Sequence, residues 1–433
     1  IEDTDKEREV EGSIKHIMES LKWLGIDWDE GPDNGGPHEP YIQSDRLDIY
    51  KKYAQILIDK GCAYPDPYTE EQVGEFRNKA QLEKRPFLYR EHRPKTFDTW
   101  DGTMPLRFKV PEIKVYKWHD LVFGDLSAGI EALDDFILIK SDGYPTYNFA
   151  HIVDDIEMEV THVMRGEEFI SSTPKFLSVY EAFDIKPPIY AYLPHIMALG
   201  GNKKLGKRDG AKDILEYRNE GYLPEAMINF LALLGWHPSD DKEIFSIEEL
   251  IKVFEIERIQ KSGAQMMVDK LDWINKEHIK KLSMEEIKGN ILGYLPENMR
   301  HDSRVEKLIP VILEHISKWG DVETMISNGE LDFFIKIPKF AKEKLIYKNV
   351  NLEKISENLN LAINELSLLR EDDFTLENIK TVLMRIANSL ESRGELLHPV
   401  RYALSGQDKS PDPFAIAFII GKNETLSRLQ KAI

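Results

Sequence analysis

Apolar residues recur at spacings of three and four through Val10, Ile14, Ile17, Met18, Leu21 and Leu24, and the run closes at Gly25. That period predicts an early amphipathic helix. After a Gly/Pro-rich loop over 31–40, Ser44 is placed to cap a second helix carrying Leu47, Tyr50, Tyr53, Ala54 and Leu57 and ending at Gly61. From Cys62 the texture changes to short segments punctuated by proline, with strand-like runs at 121–123 and 136–139. Ser141-Asp142-Gly143 then reads as a hairpin turn into a further strand-like run. Alternation of strand and helix returns with a strand at 160–164, Thr173-Pro174 opening a helix through 176–183, and a strand at 189–193. Beyond about residue 210 almost only helical periods remain, including 224–234, 247–254 and a Ser283-x-x-Glu286 capping box. The pattern describes an α/β domain interrupted by an insertion and resumed, followed by an α-helical second half.

Composition narrows this picture. The 433 residues are 42% hydrophobic and 31% charged, which excludes wholesale disorder and exceeds the length of one ordinary domain. Cys62 is the single cysteine, so neither an internal disulfide nor a cysteine-rich zinc site can form, and a reducing cytoplasm is the expected compartment. No run is long enough to cross a bilayer, so no membrane role is expected. The chain opens Ile1-Glu2-Asp3-Thr4-Asp5 without methionine and without a targeting pattern, as though at the end of a strand. The expectation is an N-terminally incomplete copy.

A formal net charge of -19 argues against a polyanionic partner only if charge is evenly spread. It is not. Residues 1–33 hold eleven acidic and four basic residues, whereas 203–212 hold five basic and one acidic, 77–95 seven and two, and 336–348 five and one. The stretch 77–95 also interleaves Phe87, Leu88 and Tyr89, which suits a phosphate backbone and an unstacked end. A solvated charged face is the plainer reading of each stretch taken alone.

Two clusters carry candidate chemistry. The loop Gly200-Gly201-Asn202-Lys203-Lys204-Leu205-Gly206-Lys207-Arg208 follows a strand; its glycines admit close backbone approach to a phosphate, and lysines three apart supply mobile charges for a pyrophosphate. It has no Walker A pattern. The second cluster runs from Ser141 through Tyr147 and His151 to Asp154-Asp155, then Arg165-Gly166-Glu167-Glu168. Arginine can hold a carboxylate, tyrosine can orient it, and Glu2 could pair an ammonium, which together describe an amino-acid pocket. Singly, Tyr147 reads as a hairpin aromatic, Asp154-Asp155 as helix caps, and Arg165 with Glu168 as a surface pair. The histidines 16, 38, 92, 119 and 162 lack metal-ligand spacing.

Taken in order, Ile1-Glu2-Asp3-Thr4-Asp5, Tyr41-x-Gln43-Ser44-x-Arg46, Ser141-Asp142-Gly143-Tyr144-Pro145-Thr146-Tyr147, Arg165-Gly166-Glu167-Glu168 and Lys204-Leu205-Gly206-Lys207-Arg208 resemble bacterial-type glutamyl-tRNA synthetase over nearly the whole chain. The last segment is similar to that family's KMSKS loop, and 394–406 to its C-terminal anticodon-binding region. The resemblance implies a class I aminoacyl-tRNA synthetase. Its expected fold is an α/β Rossmann-type catalytic domain (1–61 and 149–202, with the first βα unit missing) carrying an inserted α+β acceptor-stem domain (62–148). All-α parts would follow: a stem-contact domain with the KMSKS-like loop (203–284) and an anticodon-binding domain (285–433).

The implied reaction joins L-glutamate to tRNA(Glu) through a glutamyl-adenylate formed from ATP with Mg2+. Carried over by motif, Glu2 faces the glutamate ammonium, Tyr147 and His151 line the pocket, and Arg165 binds a substrate carboxylate. Glu168, Ile196, Lys204 and Lys207 touch ATP, with Lys204 and Lys207 stabilising the transferring phosphates. A monomer is expected. Three departures accompany the resemblance: Gly206 replaces the usual serine, the cysteine pairs of zinc-bearing members are absent around 64–68 so no structural zinc is expected, and the family's HIGH motif would precede Ile1. That missing unit would be roughly 35 to 45 residues. This chain alone is therefore expected not to form adenylate, which pyrophosphate exchange would refute. The alternatives are glutaminyl-tRNA synthetase, disfavoured by the helical C-terminal half, and a non-catalytic tRNA-binding remnant.

Overall fold

The computed structural model describes residues 1–5, 10–201, 203–339 and 341–433, with the side chains of Ala132 and Lys207 outside the description. Two compact units form: Ile1–Ile214 with Ile228–Met267, and Leu215–Met227 with Val268–Ile433.

In the first unit the early amphipathic pattern is helix α1, Ser13–Trp23, and the second is α2, Leu47–Asp59. The apolar stripe of α2 buries Tyr50, Ala54 and Leu57. After α2 the chain forms β1 (Ala63–Pro65), α3 (Glu70–Leu82), β2 (Leu106–Phe108), β3 (Tyr116–Asp120), β4 (Gly124–Ala128) and β5 (Ile137–Ile139). α3 starts at Thr69, whose hydroxyl accepts from the Gln72 N–H while the Gln72 side chain answers the Thr69 N–H, a complete capping box. There follow α4 (Tyr147–Glu157), β6 (His162–Gly166), α5 (Thr173–Phe183), β7 (Ile189–Leu193), β8 (Ile196–Met197) and β9 (Ala264–Gln265).

Strands β6 and β7 pair in parallel, with Val163 opposite Tyr190, and α5 makes the crossover that parallel neighbours require. The hairpin β3–β4 joins the same sheet through β7, in the order β4-β3-β7-β6, while β1-β2-β5 form a separate antiparallel sheet. The core of this unit includes Tyr50 and Leu57 of α2, Phe149 and Ile152 of α4, Phe176 and Val179 of α5, and Tyr190 and Tyr192 of β7, all buried.

Three expectations are corrected here. Ser44 does not cap α2; it lies inside a short 3-10 turn, Gln43–Arg46, and α2 starts after Arg46 without a side-chain cap. Residues 121–123 form the turn between β3 and β4 rather than a strand. The fully buried carboxylate of Asp120 accepts from the N–H of Val122 (2.9 Å) and Phe123 (2.7 Å), and from Tyr192 across the sheet (2.9 Å). A side chain that takes up consecutive backbone donors diverts them from a ladder. Likewise, the run after Ser141-Asp142-Gly143 is not a strand of any length. The turn does form, with the Gly143 N–H on the Lys140 carbonyl, but pairing stops after one bridge at Pro145 and α4 begins at Tyr147. Thr146 still donates to the Leu138 carbonyl (2.8 Å), but its own carbonyl accepts from the Phe149 and Ala150 N–H groups (3.0 Å each), which turns the chain into the helix.

The second unit is helical, as the periodicity indicates. The Ser283–Glu286 capping box is present and starts Met284–Tyr294. Helices Leu352–Ser367, Leu376–Asn388, Gly394–Ser405, Pro413–Ile420 and Lys422–Ala432 close around Leu359, Leu383, Val400, Ile416 and Leu429. Buried Arg428 ties them together, donating to the carbonyls of Phe333 (2.8 Å) and Leu404 (2.7 Å) while pairing with Glu424.

Candidate functional site

α4 begins where the hairpin fails, and this start places Tyr147, His151 and Asp155 at i, i+4 and i+8 on one helical face. β6 brings Arg165 against that face. The Arg165 Nη1 donates to the Tyr147 hydroxyl at 2.8 Å. Its guanidinium lies 5.9, 5.1 and 5.6 Å from the rings of Tyr147, Phe169 and Phe176, a setting in which the aromatic faces favour the cation.

His151 is buried. It stacks on Tyr147 at 4.8 Å, meets Phe176 edge-on at 4.5 Å, and its Nδ1 lies 2.6 Å from the Tyr147 carbonyl. A carbonyl only accepts, so Nδ1 carries the hydrogen and Nε2 is left as an acceptor. Burial first, and the Arg165 charge second, lower the His151 pKa to about 3, so the ring is neutral at physiological pH. Burial raises the Tyr147 phenol to about 12 against the pull of Arg165, so it keeps its proton.

These groups open on a cleft of about 330 Å³ lined in part by Glu2, Trp28, Tyr41, Gln43, His151, Asp155 and Arg165. Its far wall is the N-terminal segment, held by hydrogen bonds from the Ile1 amine to the Tyr41 carbonyl (2.7 Å), from the Gln43 N–H to the Ile1 carbonyl (3.0 Å), and from the Ser44 N–H to Asp3 (2.8 Å). Crowding by protein atoms raises the Glu2 pKa from its ordinary value, with Arg165 pulling it back. Beneath the cleft Asp154 accepts from Gln43, Arg46 and Tyr50, each at 2.8 Å, and Arg46 also donates to the carbonyls of His38 (3.0 Å) and Pro40 (2.7 Å). One buried arginine thus ties the loop wall to α4.

A second group gathers beyond β6. Glu168 accepts from Lys204 at 3.1 Å, and the His195 ring lies 3.6 Å from its other oxygen. The carboxylate folds back over Gly166. The Glu168 pKa is lowered by its own backbone N–H and then by Lys204. Lys204 sits on a tight hairpin: the Leu205 N–H bonds to Ile196 O (2.8 Å), the Ala198 N–H bonds to Lys203 O (3.0 Å), and Gly201 occupies the turn at φ +70°. β8, carrying Ile196, pairs with β9 below this hairpin.

Sequence-predicted residues therefore fall into two groups. Glu2, His151 and Arg165 line one cleft, Tyr147 meets both Arg165 and His151, and Glu168 meets Lys204, with Ile196 at the base of the same hairpin. The Lys207 side chain lies outside the described residues. The sequence placed Asp154-Asp155 in the pocket cluster, with helix caps as the plainer reading, but did not assign Gln43, Trp28 or Tyr41 to the pocket, nor Arg46 to its floor; the spacing 147, 151, 155 carries the signal once residue 147 is taken as a helix start. Among the described residues no group of three or more His, Cys, Asp or Glu could hold a metal ion.

The basic stretch 77–95 divides. Arg85 pairs with Glu83 and Glu91, and Arg93 forks onto buried Asp135 at 2.6 and 2.7 Å. Arg90 donates to the Leu133 carbonyl. These three cations are occupied within the protein, whereas among the described residues no such pairing engages Lys84 or Lys95.

Residues 1–273 match the family model for tRNA synthetases class I (E and Q), catalytic domain, and residues 270–433 match an anticodon binding domain. The glutamate–tRNA ligase of Clostridium kluyveri is 40% identical over the whole chain and 90% of its own length, and that of Dehalococcoides mccartyi is 37% identical over the whole chain and 89% of its length. The crystal structure of a glutamate tRNA ligase from Elizabethkingia meningosepticum, in complex with its amino acid, superposes with a TM-score of 0.86 at 33% identity, covering the whole chain and 91% of that structure. A glutamate-tRNA synthetase from Elizabethkingia anophelis gives 0.85 at 34% identity over the whole chain and 92% of that structure. With sheets confined to a catalytic part and a helical anticodon-binding part following it in the chain, the protein belongs to the class I tRNA synthetases of the E and Q type, among the glutamate–tRNA ligases.

Proposed function

We propose that the protein ligates L-glutamate to tRNA(Glu) in two steps, of which the first consumes ATP. The glutamate α-carboxylate oxygen bonds to the α-phosphorus of ATP as pyrophosphate leaves; the terminal ribose hydroxyl of the tRNA then bonds to the acyl carbon as AMP leaves. The observation that carries the substrate reading is Arg165, a cation set among three aromatic rings and held by the Tyr147 hydroxyl at the edge of a cleft of amino-acid size.

Arg165 supplies a charge-assisted donor to one glutamate carboxylate. Tyr147 accepts from Arg165, so its own hydrogen is free for the same carboxylate. Glu2 faces the ammonium, and His151, neutral at physiological pH, adds no charge of its own beside Arg165. At the other group, ATP binding would draw Lys204 from Glu168 to phosphate oxygens, leaving Glu168 beside His195. Lys204 and Lys207 would then follow the charge that develops on pyrophosphate, with Glu168 and Ile196 against the rest of the nucleotide. Mg2+ travels with ATP as part of the substrate and shares that phosphate charge.

The domain assignment follows: a catalytic domain over 1–61 and 149–202, an acceptor-stem insertion over 62–148, a stem-contact domain over 203–284 and an anticodon-binding domain over 285–433. Among the described residues no helix is long and apolar enough to cross a membrane. Charging of tRNA(Glu) with labelled glutamate by the protein expressed from its gene tests the reading. Labelled glutamate is expected on tRNA, with glutamine a poor competitor; preferential charging with glutamine would overturn the reading.

A further inference from the structure

Gln265 of β9 lies 65 residues beyond Gly200 in the chain, yet the two meet at the hairpin that carries Lys204. β8 and β9 pair in parallel, with Ile196 opposite Ala264 and Met197 opposite Gln265, and the Met266 N–H donates to the Met197 carbonyl at 3.2 Å. Met197 also bridges Lys204 in the antiparallel sense. It is therefore the middle of a three-strand patch, with Gln265 on one side and Lys204 on the other.

β9 approaches closely at two points. A Cβ on Gly263 would stand 2.5 Å from the His195 carbonyl oxygen, a backbone atom that cannot swing aside, so glycine admits the strand here. Past Met197, the Gln265 side chain reaches the turn. The hairpin's own bonds use the N–H groups of Ala198, Gly201 and Leu205. The Gly200 N–H donates instead to the Gln265 Oε1 at 3.3 Å, and the Gln265 Nε2 lies beside Gly201. His195 and Lys204, which flank the Glu168 carboxylate at 3.6 and 3.1 Å, thus both border residues 263–266.

We propose that Gln265 is a positioning residue acting through Lys204: it closes the turn from β9, so that the hairpin backbone stays seated while the Lys204 side chain passes from Glu168 to phosphate. The inference rests on the ATP reading above. A two-stranded hairpin is marginally stable by itself in water, and a third strand with a bond to the turn removes much of its freedom. Order present before ATP arrives need not be created in the transition state, where a lysine displaced by about 1 Å stabilises the developing charge poorly.

Two measurements on the protein expressed from its gene test this: amide hydrogen exchange over 196–205, and glutamate-dependent exchange of pyrophosphate into ATP. Gln265→Met keeps the side-chain length and removes the acceptor. Amides in 198–205 should then exchange faster while those of β7 stay as they are. The kcat for pyrophosphate exchange should fall roughly two- to fivefold, the lower part of the range for a neutral hydrogen bond because this one is long and exposed. The glutamate KM and the thermal midpoint should not move. Gln265→Glu restores an acceptor for the Gly200 N–H and should return both readouts towards the wild-type values. Unchanged amide exchange over 198–205 in Gln265→Met, an unchanged kcat, or a loss that Gln265→Glu does not reverse overturns the proposal and leaves the ATP reading intact. A wild-type protein that protects this turn yet exchanges no pyrophosphate overturns the ATP reading, and the catalytic role of Gln265 falls with it.

Discussion

Replacing Tyr147 by phenylalanine removes the hydroxyl that holds Arg165 and leaves its ring against His151 and Phe169. Two interactions go with it. The first is the hydrogen bond from Arg165, 2.8 Å long, which holds the guanidinium in place. The second is the hydrogen that the phenol can donate to a bound carboxylate, available at neutral pH because burial raises this pKa to about 12. A hydrogen bond to a charged group contributes about 1.5–3 kcal/mol, and about 1.4 kcal/mol is tenfold in affinity. Tyr147→Phe should therefore weaken glutamate binding roughly 10- to 150-fold by calorimetry, with the tRNA dissociation constant unchanged. Tyr53→Phe, on α2, is the control and should leave glutamate affinity alone. A change below about twofold in Tyr147→Phe would show that the carboxylate does not sit against this hydroxyl, and Arg165 would then have to be placed differently in the mechanism.

Other outcomes follow from the same geometry. Arg46→Ala leaves Asp154 buried without its cation, a loss of about 3–5 kcal/mol in the stability of the catalytic part; urea unfolding followed by hydrogen exchange on α4 reads it, and adding Asp154→Leu should recover much of the loss. His151 titrates at about 3 when folded against an ordinary value near 6.5, so the unfolded chain binds more protons between these values and stability contributed by its burial is lost as pH falls from 6.5 towards 3. Asp155, raised to about 6, works in the opposite sense and gains stability as pH falls below 6. His151→Gln should flatten the acid limb of a thermal-unfolding profile, and an unaltered limb would contradict its neutral burial. For tRNA, neutralising Lys84 and Lys95 should reduce the salt dependence of binding by up to roughly 0.7–0.9 in log–log slope for each phosphate no longer neutralised. Arg93→Gln should leave that slope unchanged and destabilise the β1-β2-β5 sheet instead, because Asp135 already holds its guanidinium.

Local signals in the sequence were sufficient wherever the deciding forces are local. Helix periods, the Ser283–Glu286 box and Thr173-Pro174 act within a turn of chain, so they read correctly without the fold, as did the parallel strands flanking α5. The ordered motifs identified the family and, through it, the residues around Arg165. What the sequence could not decide depends on partners far along the chain. Residues 121–123 look like a strand, but buried Asp120 takes the backbone donors of Val122 and Phe123. Asp154 and Asp155 are indistinguishable as letters; Arg46, 108 residues away, neutralises one, while the cleft leaves the other facing Arg165. Arg93 looks like a phosphate ligand until Asp135 closes on it. A side chain's charge and its donors are written in the sequence, but whether they are available is set by which other side chain the tertiary structure brings within hydrogen-bonding distance, and that alone separated floor from pocket here.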